Sequence, residues 1–184
     1  MPTAKLTHSP PDHVAVQFGA VYERERTTGA DRLRIAADAN AVDLLLALAA
    51  TWSGDIGVLY VLLVPRQGNR EPGRYQSAAP MSFGEASEFL CTFRDFFESD
   101  GRHHVWLCSV AGAGTLVYDH HNWIYAYGDL SAYERILAQR GFRSGPITLP
   151  VPHTHNYHAA NDQAEEELMS AIEWRHFPLG PDDE

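Results

Sequence analysis

"HVWLCSVAGAGTLVYDHHNWIYAYG", His104–Gly128, holds three short apolar runs separated by two turn sequences. The runs HVWLCSV, TLVYD and WIYAY are rich in β-branched and aromatic residues, which favour strands. Ala111–Gly114 is a glycine turn, and His120-His121-Asn122 is short enough for a tight hairpin. The stretch therefore predicts an antiparallel meander. In the third run Trp123, Tyr125 and Tyr127 share one face, and Ile124 and Ala126 the other. His103 and His104 open the first strand and point to opposite faces.

Working outward, His13–Glu23 alternates Val14, Val16 and Phe18 and reads as a strand, and Ile56–Val64 as a fully buried one stopped by Pro65. Four helices are expected. The first begins at Asn40 and ends before Gly54. The second starts from a capping box of Ser82 and Glu85 and carries an aromatic face of Phe83, Phe89, Phe93, Phe96 and Phe97. The third runs from Ser131, capped through Glu134, to a C′ glycine at Gly141. The last, about 161–174, is acidic at its start, where the helix dipole favours negative charge. The expected class is α+β: a mainly antiparallel sheet of about five strands with three to four helices packed on it. The expected organisation is a loose terminus over 1–12, a single domain over 13–160, and an acidic helix and tail over 161–184 docked on that domain.

The chain has 184 residues and a formal charge of −10. Its last 24 residues hold eight acids and one base, a third of all the acids. Basic residues are all arginine except Lys5, and they form no patch, which argues against nucleic acid and anionic membrane as partners. A basic protein suits this charge better. No apolar run reaches the ~20 residues of a membrane span, and the N-terminal residues lack a signal-peptide core, so a cytoplasmic location is expected. Cys91 and Cys108 lie in apolar surroundings and read as buried thiols.

Two constellations carry chemistry. "PVPHTHNYH", ending at His158, sets His153 and His155 on one side of an extended segment, close enough for one metal ion. His158 joins them only if the chain turns. Zinc or another divalent transition metal then needs a further donor, and Asp119, His120 and His121 at the hairpin tip are the available ones. Asp119 beside His120 is also an arrangement that orients an imidazole for general-base work, although Asp and Asn equally suit a tight turn. Elsewhere, Arg66, Arg70 and Arg74 recur beside Tyr75 and can bind an anion or pair with the acidic C-terminal helix. Trp123 stands on a face whose composition resembles an interface hot spot.

Two functions follow. The first is a non-enzymatic acidic module that binds a basic protein, as immunity proteins and adaptors do. The second is a metal-dependent enzyme, a hydrolase by type, using His153, His155 and His158 with Asp119 and His120. It requires the hairpin tip and the histidine segment to meet in space. A homodimer paired through the histidine-bearing edge is a further expectation.

Overall fold

The computed structural model describes residues 4–10, 13–65, 70–181 and 183. Strands β1 (Leu6–His8), β2 (Val21–Glu25) and β3 (Arg32–Ala36) precede helix α1 (Ala41–Ala49). Strands β4 (Ile56–Leu62) and β5 (Gly73–Ser77) lead to helices α2 (Phe83–Thr92) and α3 (Arg94–Ser99). The meander follows as β6 (His103–Ser109), β7 (Gly114–Tyr118) and β8 (Trp123–Gly128). The chain closes with α4 (Leu130–Gln139), β9 (Arg143–Ser144), β10 (His153–His155), α5 (Asp162–Ala171) and β11 (Trp174–Phe177).

The class is α+β, but the sheet is larger than the five strands expected. Among the described residues nine strands run in the order β11-β5-β4-β6-β7-β8-β3-β2-β9, and β1 pairs with β10 in a separate two-stranded sheet. The main sheet is antiparallel apart from β2 with β9. The strand expected over His13–Glu23 forms only from Val21, as the start of β2; residues 13–20 contribute a single bridge at Ala15. The extra members of the sheet lack an apolar signature. On β2 and β3, Glu23 faces Arg34 and Glu25 faces Arg32 across the ladder, so their alternation is one of charge. Strand β5 (GRYQS) has a single large apolar residue, Tyr75, and β9 and β11 have two and four residues. Among the described residues there are five α-helices: the aromatic helix breaks at Phe93, which ends α2 and begins α3.

Alternation on the strands divides the molecule. Leu33, Ile35, Val58, Tyr60, Val105, Leu107, Leu116, Tyr118, Ile124 and Ala126 point to one face, where all five helices join them in a continuous core. His103 belongs to this side, between Tyr60, Phe96 and Phe97. The capping box forms as expected: Ser82 Oγ accepts from the Glu85 amide, and Glu85 accepts from the Ser82 amide. Ser82→Ala is expected to cost about 1 kcal/mol and lower Tm by about 3 °C, read by circular dichroism. An unchanged Tm would mean that packing of Phe89 and Leu90 alone holds α2. At α4 the cap is Asp129, which accepts from the Ala132 amide, two residues before the serine expected to do so.

The terminal segments are tied in. Leu6 is buried on β1, in the stretch expected to be loose, and Lys5 beside it is fully buried. Helix α5 docks through Leu168 and through Arg102, which reaches Asp162 and Glu165. Cys91 is exposed and Cys108 half-buried; both are free thiols, contrary to the buried pair expected. Among the described residues no helix is long and apolar enough to cross a membrane.

Candidate metal centre

Opposite the helices, the sheet carries a second, smaller core in which Ala36, Trp123 and Ile147 pack with Phe18, Val21, Tyr125 and Leu149, and side-chain size shapes the rest of that face. The central strand β7 presents small residues, Thr115 and Val117. On one side β6 presents His104 and Trp106; on the other, β8 presents Trp123, Tyr125 and Tyr127. A row of small side chains between two rows of large ones forms a groove of about 650 Å³ running along β7. Arg32 stands at one end, its guanidinium 4.1 Å from the Tyr125 ring and hydrogen-bonded to Glu25 and the Tyr127 hydroxyl. Asp119, His120 and His121 close the other end.

That closed end is built by the β7–β8 turn. Asp119 Oδ1 accepts from the amides of His121 and Trp123, both at 2.9 Å, and Asn122 adopts a left-handed φ of 65°. The Tyr118 hydroxyl donates to Asn122 Oδ1 at 2.7 Å. Beneath the turn, Lys5 Nζ donates to the Asp119 carbonyl at 3.0 Å and lies 3.8 Å from the Tyr118 ring centre. Burial pulls the Lys5 ammonium down to about 7, against the opposing pull of Asp119.

The histidine segment is brought to this turn by β-pairing. His153 and His155 lie on β10 opposite His8 and Leu6. Close approach at Gly101 completes the anchor: its amide donates to the Asn156 carbonyl, and the Asn156 amide to the Lys5 carbonyl, both at 2.9 Å. A Cβ at Gly101 would lie 3.1 Å from the Lys5 carbonyl oxygen and 3.2 Å from His155 Cβ, tighter than ordinary contact. The hairpin tip and the histidine segment, more than thirty residues apart in sequence, therefore meet.

Five imidazoles gather there. Ring centres of His120 lie 4.0 Å from His121 and 4.4 Å from His155, and His153 lies 5.2 Å from His155. His104 stacks on His120 at 4.8 Å. One ring nitrogen from each of His120, His121 and His155 can be chosen so that all lie within 4.8 Å of one another, a set that could hold a metal ion. Their Nδ1 atoms are all engaged: with His104 Nε2 for His120, with Asp119 Oδ2 at 3.1 Å for His121, and with the His120 carbonyl at 3.2 Å for His155. Nε2 is thus the atom each has left for a ligand. Metal-binding histidines characteristically carry such a second partner, which fixes the tautomer and the ring orientation.

The electrostatics favour lone pairs. Burial drives the imidazoles of His104 and His155 down to about 4 and that of His120 to about 2, with neighbouring imidazoles adding to the effect and Asp119 opposing it. Asp119 is itself buried; burial raises its carboxyl, but the hydrogen bond from His121 and the surrounding imidazoles bring it below the usual range.

The sequence-derived set is thus rearranged. His155 remains among the possible ligands and is joined by His120 and His121. His153 lies beside them with Nδ1 held by the Pro150 carbonyl at 2.8 Å. His158 turns away, its Nε2 meeting the Ala4 carbonyl, because its backbone amide is held by Asp100. Asp119 has both oxygens engaged by the turn and His121, so it positions an imidazole. Trp123 lines the groove at 6 % exposure. Arg66 lies outside the described residues. Arg70 pairs with Glu166 on α5, and Arg74 reaches both oxygens of Asp183. Tyr75 packs on His176, its hydroxyl donating to the Glu71 carbonyl. Trp106 and Arg32 are absent from the sequence-derived set, and His104 is there only as half of a pair pointing to opposite faces; the signal for them was the Thr115/Val117 alternation between two aromatic strands, legible only once the register is known.

Fold and site together define an α+β protein with a histidine cluster at the end of an aromatic groove. Comparison with known protein families, with curated proteins and with solved structures found no match to this chain.

Proposed function

We propose that this protein is a metal-dependent enzyme of hydrolytic type, in which His120, His121 and His155 bind a divalent transition ion, zinc being the best suited. The observation that carries the reading is that three imidazoles with engaged Nδ1 atoms converge, two of them, His120 and His121, lining the end of the groove and His155 lying against them. Three nitrogen ligands leave a fourth tetrahedral position open, which is the arrangement of catalytic zinc sites and not of structural ones. A metal in such a site lowers the pKa of bound water to about 7 and polarises a carbonyl or phosphoryl oxygen. In this reading Asp119 and His104 act as positioning residues that hold His121 and His120.

The acidic-module reading has less support. Four of the eight acids in the C-terminal segment, Asp162, Glu165, Glu166 and Asp183, are paired internally with Arg102, Arg70 and Arg74.

The test is elemental analysis of untagged protein prepared without chelating resin, beside the His120→Ala/His155→Ala and His158→Ala variants. About one zinc per chain is expected in the parent and in His158→Ala, and less than a tenth of that in the double variant. Parent protein that takes up no zinc when dialysed against micromolar Zn²⁺ would refute the reading. Loss of the metal in His158→Ala would show a different ligand set.

A further inference from the structure

The groove also indicates what would be brought to the metal. Adjacent strands lie about 4.8 Å apart, so the backbones carrying Trp106 and Tyr125 stand about 9.5 Å apart, with only the small side chains of β7 between them. From Thr115 to Asp119 the groove runs about 13 Å at the rise of a strand. Its walls are apolar or aromatic along that length. Their charged groups are engaged within the protein: Arg32 pairs with Glu25, and Asp119 is held by the turn amides and by His121 Nδ1.

We propose that the substrate is an elongated molecule with a flat, uncharged aromatic body and a carbonyl-type head, such as an aryl ester or amide. The body would lie between Trp106 and Tyr125 over Val117, with the head oxygen at the end lined by His120 and His121, toward the metal that they would hold with His155. This rests on the metal reading above. Stacking and burial of a planar ring suit these walls, which offer Thr115 as their one aliphatic hydroxyl.

The experiment uses zinc-loaded full-length protein and three hydroxamate probes that share one zinc-chelating head: acetohydroxamate, benzohydroxamate and 4-phenylbenzohydroxamate. Binding is measured by calorimetry and by quenching of tryptophan fluorescence. Each added ring is expected to tighten binding at least tenfold. V117F, which fills the groove floor, should abolish that gain while leaving zinc content and acetohydroxamate affinity unchanged. W106A, which removes one wall, should reduce it, so the outcome does not hang on one variant's folding. Equal affinities across the series, or a ring-dependent gain that both variants leave intact, would overturn the substrate class while the metal reading stood. A protein that binds neither zinc nor acetohydroxamate would overturn both.

Discussion

Arg102→Met is expected to lower the melting temperature by about 10 °C, roughly three times the effect of losing the Ser82 cap. Arg102 is 1 % exposed, yet it is a full cation at the start of the meander. Its Nε and Nη2 grip both oxygens of Asp100, at 2.8 and 2.9 Å, and Nη1 reaches Glu165 on α5 at 2.8 Å. Removing one partner of a buried ion pair costs about 3–5 kcal/mol, because the carboxylates left behind have neither charge partner nor water. For a chain of this length each kcal/mol corresponds to about 2–4 °C. The consequence extends to the site, since Asp100 Oδ2 also accepts from the His158 amide at 3.1 Å and so anchors the histidine segment. Glu165→Gln combined with Arg102→Met should recover part of the loss by removing one of the stranded charges. Thermal melts followed at 222 nm decide the matter. A fall of less than about 3 °C would mean that the network is reached by water and contributes little.

Acid should unfold the metal-free protein earlier than its carboxylates alone would dictate, and zinc should reverse this. In the folded state His104 and His155 titrate near 4 and His120 near 2, and His103 is also lowered, in each case chiefly by burial. In the unfolded chain each takes up its proton near 6.5. Their depressed values mean that stability is fully present above pH 6.5 and is lost as pH falls toward the folded values. Each such ring loses about 1.4 kcal/mol per pH unit within that window. For His104, buried at 7 % exposure, the whole window is worth about 3 kcal/mol, with less than additive contributions from its coupled neighbours. Urea unfolding of zinc-free protein should therefore show a falling midpoint between pH 7 and pH 5, and zinc at a hundred times its Kd should restore about 2.7 kcal/mol. Because His120 and His155 stay neutral in the folded protein, neither should oppose zinc binding above pH 5. Ordinary imidazoles would lose about tenfold each per pH unit below 6.5. A midpoint flat from pH 7 to pH 5 would show that these rings are solvated and freely protonated in the native state.

How far each feature was legible follows from the range of the interaction that sets it. Helix α2 and its cap depend on residues three and four apart, and the meander on a two-residue alternation, so both stand in the sequence. So does the chemistry on offer: Asp119-His120-His121 at a turn, and His153 and His155 alternating on an extended segment. The strands that complete the sheet were hidden because backbone hydrogen bonds recruit them. Charge pairing carries β2 and β3, and β5 and β11 are too short or too polar to show an apolar period.

The sequence by itself therefore determined the α+β class, the two-residue alternation of the meander and the residue types available to a metal; which face the helices cover, that of Ile124 and Ala126 and not that of Trp123, Tyr125 and Tyr127, it left undecided. Only the tertiary structure decided that His155 meets His120 and His121 while His158 turns away. That choice depends on the pairing of Leu6–His8 with His153–His155 and on a buried Arg102–Asp100 pair holding the segment's end. The strand pairing joins residues nearly 150 positions apart and the Asp100–His158 bond spans 58, and no local periodicity encodes such a distance.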